Sequence, residues 1–287
     1  MNYKLNSYEG IKGLRRLATG TTSVAAIYTK DLLQLKLYIS TNAEEQQKIA
    51  DFLTAVDERI LQLIKKKELL EQYKKGVMQQ IFSQQIRFKG EKGNDYPEWE
   101  EKSLGEVTSF IRNGLTAQQN LEKVGFKVTR IETISNKKID LNKVGFVKTE
   151  IDISNYKLEV GDLLFSNINS VSHIGKIAYV DKDYDLYHGM NLLNIRIDKS
   201  YSPLFYYYVL TTDTLKKHFE TICNQAVSQA SINQNDLKQT IVFVPALPEQ
   251  KKIAHFLNCI DNKINSVNTE IQQTQLFKKA LLQQMFC

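Results

Sequence analysis

The chain has 287 residues, of which 42% are hydrophobic, and this combination is typical of a globular protein with one or two buried cores. Basic residues outnumber acidic ones by 38 to 32, and the resulting net charge of +6 is compatible with a nucleic-acid partner without requiring one. The first ten residues hold no apolar run, no window is apolar enough for a membrane helix, and the three cysteines are scattered, so we expect a cytoplasmic protein with no membrane contact.

The most informative feature is an internal repeat. The sequence EQQKIADFL at 45–53 returns as EQKKIAHFL at 249–257, and the offset of 204 residues holds without a gap to the C-terminus. Over residues 45–83 and 249–287, 14 of 39 positions are identical, whereas unrelated sequences of ordinary composition would share about two or three. Weaker similarity precedes each copy after a shift of one residue, so the repeated unit includes about 20 residues before each helix.

Both copies are predicted to be long helices, because their apolar residues recur in alternating steps of four and three. The stripes are, in the first copy, Ile49, Leu53, Val56, Ile60, Leu63, Leu70, Val77 and Ile81, and in the second, Ile253, Leu257, Ile260, Ile264, Val267, Ile271, Leu281 and Met285. This spacing is typical of coiled coils. Each helix could run for about 39 residues, or roughly 58 Å. We expect the two stripes to pack on each other or on another chain.

The region between the helices has a different composition. Residues 84–95 are polar and contain two glycines, which predicts a linker. From 96 to 246 short β-rich runs alternate with glycine and Asx residues, and residues 202–223 are predicted to form one helix. The fold class expected is therefore α+β, with one mixed α/β domain flanked by two long coiled-coil-forming helices.

These segments resemble one known family. VPALPEQKKIAHFLNCID, followed by a helix ending in LLQQMF, is similar to the region that closes the specificity subunits of type I restriction–modification systems. TNAEEQQKIADFLTAVDERI resembles their central helical region, and YPEWEEKSLGEVTSFIRNG resembles the opening of a target recognition domain. LEVGDLLFSNINSVSHIGKIAYV and ICNQAVSQASINQNDLKQTIVFVPALP resemble the middle and end of such a domain.

The chain departs from this family in one respect. A full specificity subunit has two recognition domains alternating with two helical regions, whereas here about 42 residues precede the first helix. The resemblance implies a remnant of a first recognition domain at 1–42, a conserved helix at 43–83, the linker at 84–95, a complete recognition domain at 96–246 and a second conserved helix at 247–287.

The sequence carries no recognisable catalytic motif. Its four prolines are never adjacent, which excludes the Asn/Asp-Pro-Pro-aromatic motif of adenine methyltransferases, and it has neither a G-x-G loop nor a G-K-[ST] loop. The four histidines and three cysteines lack metal-ligand spacing. We expect a protein that is not an enzyme and holds no cofactor or metal.

Reading DNA sequence requires side chains that donate and accept hydrogen bonds at base edges. Three polar segments supply such side chains, although a turn or a helix cap would explain any one of them equally well. The candidates for base contact are Arg112, Asn113, Thr116, Ser166, Asn167, Asn169, Ser170, His173, Lys176, Gln225, Ser228 and Gln229. Candidates for phosphate contact are Lys127, Arg130 and Arg196, together with Lys137 and Lys138.

The resemblance also implies partners. The recognition domain would contact double-stranded DNA, and the helices would bind methyltransferase subunits, which supply the S-adenosylmethionine chemistry. Restriction subunits would supply ATP- and Mg-dependent translocation and cleavage. We expect a homodimer formed through the long helices, which would read a symmetric bipartite site. The alternatives are pairing with a separate N-terminal fragment, a scaffold that binds modification subunits without reading DNA and competes with a full specificity subunit, and a stand-alone enzyme.

Overall fold

The structure, a computed structural model, describes residues 2–21, 24–120, 122–135, 137–169, 174–225 and 230–286. It confirms the predicted fold class, since it combines short sheets and small helices with two long helices. The chain divides into two compact units. The first unit comprises residues 1–75 and 260–287, and the second comprises residues 76–259.

The elements of the structure are as follows. As far as Phe82 the chain forms α1 (Asn2–Leu5), α2 (Tyr8–Leu17), β1 (Thr19–Thr21), β2 (Val24–Ala26), α3 (Thr29–Leu32) and α4 (Ala43–Phe82). After α4 come β3 (Glu100–Ser103), β4 (Thr108–Asn113), β5 (Phe126–Val128), β6 (Gly145–Val147), β7 (Leu163–Phe165), β8 (Ile168–Asn169), β9 (Ile177–Tyr179), β10 (Leu193–Ile197), α5 (Pro203–Leu210), α6 (Asp213–Ile222), β11 (Asn224–Gln225), β12 (Ala230–Ser231), α7 (Gln234–Lys238), β13 (Ile241–Val244) and α8 (Leu247–Met285). Single-turn 3-10 helices lie at Leu104–Val107, Ile131–Ile134, Leu141–Lys143 and Ser154–Tyr156.

The second unit is built around a four-stranded antiparallel sheet in the order β4–β10–β7–β9. All three residues of β7 are buried, because helices and loops cover both faces of this central strand. A smaller antiparallel sheet has the order β11–β12–β8, and β13 pairs with β3, as β5 does with β6. Because its strands are short, the second unit has many loops, and loops are where proteins usually place binding residues.

One prediction about this region is wrong. Residues 202–223 form two helices, α5 and α6, instead of one. The break falls at Thr211 and Thr212, where the Thr212 hydroxyl accepts a hydrogen bond from the backbone N–H of Leu215 at 3.3 Å. Thr212 is thus an N-cap, and a side chain that satisfies the free N–H groups of a new helix favours a start at that position.

The apolar stripes of α4 and α8 meet within the first unit. Leu63 of α4 packs with Val267 and Ile271 of α8, and Ile64 and Leu70 contact the same cluster. The sequence left open whether the stripes pack on each other or on another chain, and in the first unit they pack on each other.

Two ion pairs show that the helices are antiparallel and related by an approximate two-fold axis. Lys278 donates to Asp57, and Lys74 donates to both carboxylate oxygens of Asp261 at 2.6 and 2.8 Å. Residues 57 and 261 are equivalent positions of the sequence repeat, and so are residues 74 and 278. Each copy therefore contributes the same aspartate and the same lysine to the other copy, so the repeat encodes a symmetric helix pair.

These pairs predict a measurable coupling. Reversing one charge, as in Asp57→Lys, is expected to lower the free energy of unfolding by about 1 kcal/mol, because the pairs are partly buried, and adding Lys278→Asp should restore most of it. Thermal unfolding followed by the helical circular dichroism signal measures both effects. The exposed pair of Lys65 and Glu68 is the control, since its reversal should cost only a few tenths of a kcal/mol. Equal losses at the two pairs would contradict the prediction.

The structural repeat extends further than the sequence repeat. With an offset of 205 residues, α2 corresponds to α6, the β1–β2 hairpin to β11–β12, and α3 to α7. The hairpin registers agree, because Thr19 faces Ala26 and Asn224 faces Ser231. The N-cap also recurs, since Ser7 occupies the position equivalent to Thr212 and its hydroxyl accepts from the N–H of Gly10 at 3.2 Å. The elements of residues 2–35 thus recur in residues 207–240.

Candidate nucleic-acid interface

Several predicted site residues lie at one end of the four-stranded sheet. Asn113 ends β4 opposite Leu193, and Phe165 ends β7 opposite the same residue and Ile177. The next positions along these strands include Ser166 and Lys176, whose backbones are joined by a 2.8 Å hydrogen bond from Ser166 N–H to the Lys176 carbonyl. The structure therefore brings Asn113, Ser166 and Lys176 to one end of the sheet.

Two tight backbone contacts add a further segment to this end. A Cβ at Gly114 would lie 2.0 Å from the carbonyl oxygen of Gly189, and a Cβ at Gly189 would lie 2.1 Å from that of Thr129. Only glycine permits such approaches. The N–H of Leu115 donates to the His188 carbonyl at 2.8 Å, which ties the loop after β4 to the same place. No sequence pattern predicted that these three segments meet.

Four of the predicted contacts are exposed around these segments. Asn113 is the last residue of β4 and Thr116 lies on the loop after it, while Lys127 lies in β5 and Arg130 follows that strand. The Arg130 guanidinium is 3.4 Å from the Glu132 carboxylate, and both side chains are well exposed. Such an exposed pair contributes little to stability, so both groups can reorganise when a ligand binds.

The structure buries two other candidates. Ser166 is 1% exposed and Asn167 is 6% exposed. Asn167 accepts a backbone bond from the N–H of Ile232 at 2.9 Å and donates its side-chain amide to the Ile232 carbonyl at 3.3 Å. Among the described residues the Asn167 Oδ1 has no partner. Through these contacts, Ser166 and Asn167 hold the connection from β7 to β8 in place.

The remaining candidates adjoin the three-stranded sheet. Asn169 faces Ala230, and Ala230 faces Gln225 on its other side, so these positions form one row at the end of the sheet. Ser170, His173, Ser228 and Gln229 lie outside the described residues. Three of the described residues that flank them, Asn169, Gln225 and Ala230, share this end of the sheet. Lys137 and Lys138 follow the 3-10 helix Ile131–Ile134, in another part of the domain.

The two arginines on the sheet make internal contacts. Arg196 donates from Nε and Nη2 to the buried carboxylate of Asp162 at 2.7 and 2.8 Å, and this bidentate hydrogen bond raises the pKa of Arg196. Arg112 donates to the carbonyl of Asn155. Both guanidinium groups lie over the ring of Phe110, at 4.1 Å for Arg112 and 4.9 Å for Arg196. The Arg196 charge is therefore compensated within the domain.

Sequence reasoning missed the buried polar groups that support this region. His188 is fully buried, and its Nε2 lies 3.0 Å from the Leu192 carbonyl. Burial lowers the pKa of His188 to about 4, so the imidazole is neutral at pH 7. The Asp162 carboxylate also accepts from the side-chain amide of Asn194 at 3.0 Å. A lone histidine or aspartate in a sequence gives no signal of this kind.

A second buried network, at the start of α8, was also missed. The repeat pointed to this position, because Glu249 is identical to its counterpart Glu45. Glu249 is fully buried, and its carboxylate accepts from Arg87 at 2.9 and 3.3 Å and from the indole N–H of Trp99 at 3.2 Å. The hydrogen bond to Glu249 raises the pKa of Arg87. Phe88 packs edge-on against Phe256. The segment predicted as a linker thus makes specific contacts with α8.

The described residues were also considered as metal ligands and as membrane-spanning helices. Among the described residues, no group of three or more histidine, cysteine, aspartate or glutamate side chains is arranged to hold a metal ion. Of the described helices, none has both the length and the apolar content needed to cross a membrane.

Comparisons with known proteins place these observations in context. Residues 96–275 match the family model described as type I restriction modification DNA specificity domain. The chain is 42% identical over 214 residues to the type I restriction enzyme MjaX specificity subunit of Methanocaldococcus jannaschii, an alignment that covers 73% of this chain and 50% of that protein. The chain therefore spans about half the length of this curated relative.

Solved structures with related folds cover almost the whole chain. The crystal structure of a type I restriction-modification S subunit from M. genitalium matches with a TM-score of 0.65 at 18% identity, covering 100% of this chain and 73% of that one. A chain from a structural study of complex assembly and conformational transition in the type I R-M system matches with a TM-score of 0.60 at 18% identity, covering 99% of this chain and 69% of that one. These likenesses concern the fold.

Proposed function

Because the chain belongs to the family of type I restriction modification DNA specificity domains, we propose that it recognises DNA sequence for a type I restriction–modification complex. The observation that carries the proposal is the match over residues 96–275, which includes the whole sheet and its loops. The chain itself would perform no catalysis. Its role is to direct methyltransferase and restriction subunits to a target site in double-stranded DNA.

The proposed reading surface is the end of the four-stranded sheet together with the adjoining end of the three-stranded sheet. Asn113 and Thr116 are exposed there and offer donors and acceptors to base edges. Lys127 and Arg130 offer positive charge to phosphates. Asn169 and Gln225 belong to the same proposal, as do the four candidates outside the described residues. Ser166, Asn167 and Arg196 would act mainly by positioning these loops, since internal contacts already engage them.

The proposed partners follow from the family and not from groups seen in the chain. Methyltransferase subunits would bind the long helices and supply S-adenosylmethionine chemistry, and restriction subunits would supply ATP- and Mg-dependent steps. One solved structure of similar fold comes from a study of complex assembly of the type I R-M system, and the likeness to that structure concerns the fold. The proposed cellular location of the protein is the cytoplasm.

The proposed target is bipartite, with one half read by this recognition domain and the other by a second copy in a homodimer. In the first unit the apolar stripes of α4 and α8 are buried against each other. A homodimer would therefore use other faces of the helices, where Leu69 and Leu276 are among the exposed apolar side chains. Mass measurement in solution, alone and with the methyltransferase subunit, tests the dimer, and a strict monomer in both would contradict it.

DNA recognition is tested by mapping methylated adenines in a genome that expresses this chain with its methyltransferase partner. We expect a split, palindromic motif that is absent when the chain is omitted. A scaffold that only binds modification subunits would give no sequence-selective footprint, and methylation by the purified chain with cofactor alone would indicate an enzyme. Either result would contradict the proposal.

The basic side chains provide a quantitative prediction. Lys127→Ala is expected to weaken binding to all DNA sequences several-fold and to lower the slope of log affinity against log salt by about 1, because one phosphate contact is lost. Fluorescence anisotropy with the assembled methyltransferase measures both. Lys199→Ala is the matched control, since Lys199 is exposed beyond the other end of β10. An equal loss in both variants would exclude Lys127 from the interface.

A further inference from the structure

A short turn in front of β10 lies at the proposed reading end of the four-stranded sheet. It comprises residues 188–192, with Met190 and Asn191 at its tip. Leu193 begins β10 and pairs with Asn113, the last residue of β4. The tip therefore lies beyond the same end of the sheet as Asn113. Neither tip residue was among the contacts predicted from the sequence.

The base of this turn is held by hydrogen bonds to two other segments and to itself. The His188 carbonyl accepts from the N–H of Leu115 at 2.8 Å. The N–H of Gly189 donates to the hydroxyl of the fully buried Thr129 at 2.9 Å. The His188 imidazole closes the turn on the Leu192 carbonyl at 3.0 Å. A turn held at these points is preorganised, so its tip can bind a ligand with little loss of conformational entropy.

The two tip residues are exposed, whereas the residues on both sides of them are buried. Met190 is 36% exposed and Asn191 is also exposed, while Gly189 and Leu192 are buried. The side-chain amide of Asn191 makes no hydrogen bond to any residue that the structure describes. The turn therefore presents an amide and a thioether side by side to solvent.

The backbone of Asn191 is in the left-handed region, with a φ of +68°. Glycine adopts this conformation without strain, and asparagine and aspartate tolerate it better than most other residues. The conformation itself does not require an amide. Position 191 can therefore be changed to glycine or aspartate while the backbone is kept, and such variants isolate the contribution of the amide.

The charges near the turn favour base contact over phosphate contact for its tip. Lys127 and Arg130, the proposed phosphate contacts, belong to a segment that is bonded to the residue before the turn. The N–H of Tyr187 donates to the Lys127 carbonyl and the N–H of Thr129 donates to the Tyr187 carbonyl, both at 2.9 Å. The tip itself is uncharged. Neutral donors, acceptors and apolar groups read base edges, while neighbouring cations bind the phosphates.

We propose that the turn formed by Met190 and Asn191 reads an A·T base pair in the half-site recognised by this chain. The Asn191 amide would donate to N7 of adenine and accept from its N6 amino group, a pairing that adenine alone offers in the major groove. The Met190 side chain would pack on the methyl group of the paired thymine. This inference rests on the proposed function, because it assigns a base pair to a surface that must first bind DNA.

The first test maps methylated adenines in cells that express the methyltransferase partner with the wild-type chain or with a variant. Asn191→Gly keeps the backbone and removes the amide, so it is expected to accept any base at one position of the half-site and to leave the other positions unchanged. Asn191→Asp is expected to prefer cytosine over adenine at that position, because a carboxylate accepts from the cytosine N4 amino group and is repelled by adenine N7. An unchanged motif in both variants would overturn the proposal.

Ser200→Asp is the matched control for the added negative charge. Ser200 is exposed in the turn beyond the other end of β10, so this variant should leave the motif unchanged. Thermal unfolding followed by circular dichroism checks that the Asn191 variants and the control are folded. The same change of motif in Ser200→Asp as in Asn191→Asp would show a general effect of charge and would overturn the assignment to Asn191.

A second measurement tests the two contacts atom by atom. Fluorescence anisotropy with the assembled methyltransferase compares duplexes that carry 7-deazaadenine or uracil at the A·T position with the unmodified duplex. Loss of the N7 acceptor is expected to weaken binding by the wild type about tenfold and to leave Asn191→Gly nearly unaffected. Loss of the thymine methyl group is expected to weaken binding by the wild type about fourfold and to leave Met190→Ala nearly unaffected. Equal sensitivity of the wild type and the variants would overturn both contacts.

Failure of this proposal can be distinguished from failure of the proposed function. A wild-type chain that directs no sequence-selective methylation would refute the proposed function, and the reading turn with it. A wild-type chain that directs a split motif, which the Asn191 variants leave intact, would refute the reading turn alone.

Discussion

Replacing Glu249 with alanine is expected to lower the free energy of unfolding of the second unit by about 3–5 kcal/mol, the usual cost of removing one partner from a buried ion pair. The carboxylate is fully buried and accepts from Arg87 and Trp99. Its loss leaves a largely buried guanidinium without its main partner and an indole N–H without an acceptor. The segment that contains Arg87 and Trp99 would then separate more easily from α8.

Urea unfolding followed by tryptophan fluorescence measures this effect, because Trp99 is the single tryptophan of the chain and lies in the network. Two controls bracket the result. Glu98→Ala removes an exposed carboxylate that also pairs with Arg87, and Glu45→Ala changes the equivalent residue of the first copy. Each should alter stability by no more than about 0.5 kcal/mol. A loss at Glu45 as large as that at Glu249 would contradict the prediction, because Glu45 is exposed whereas Glu249 is buried.

The long helices could be predicted from the sequence, but their pairing could not. A heptad stripe indicates that a helix buries one face, and any partner with a matching stripe would satisfy it. The pairing depends on charged residues at particular positions along the helices. In the sequence Asp57 and Lys74 are ordinary charged residues. In the folded repeat, Asp57 pairs with Lys278 and Lys74 pairs with Asp261, each of them a residue of the other copy.

The first 35 residues show the opposite case, in which structure persists where sequence similarity fades. Ser7 and Thr212 differ in sequence yet both provide the hydroxyl that begins a helix. Because several residue types satisfy an N-cap or a short hairpin, residue identity can change while the elements stay at the same offset. In the sequence the repeat is clear at α4, where contacts with α8 restrict the choice of residue, and weak over the 20 or so residues before it.

The candidate site was predicted by residue type, which does not indicate burial. Ser166 and Asn167 have the side chains of base-reading residues, but they lie at the buried end of β7. Arg196 has the charge of a phosphate contact, but Asp162 already binds it. The meeting of the β4 loop with Lys127 depends on contacts at Gly114 and Gly189, and two isolated glycines do not identify each other in a sequence.

Lowering the pH is expected to destabilise the second unit through His188. The folded-state pKa of this imidazole is about 4 because it is buried, while an unfolded histidine has a pKa near 6.5. Above pH 6.5 both states are neutral and the residue contributes no pH dependence. As the pH falls from 6.5 toward 4, the unfolded chain binds a proton that the folded chain excludes, so stability is lost progressively, by about 3 kcal/mol in total.

His188→Gln isolates this contribution from that of the carboxylates that titrate in the same range. The amide of glutamine can donate to the Leu192 carbonyl as the imidazole does, and it does not titrate. The stability of the wild type relative to the variant is therefore expected to fall by about 3 kcal/mol between pH 7 and pH 4, measured by urea unfolding with Trp99 fluorescence. Parallel pH profiles for the two proteins would show that His188 is not held neutral.

The backbone of His188 binds Leu115, which lies between Asn113 and Thr116, so protonation should also loosen the loop after β4. Affinity for DNA should then decline over the same pH range in the wild type more than in the variant.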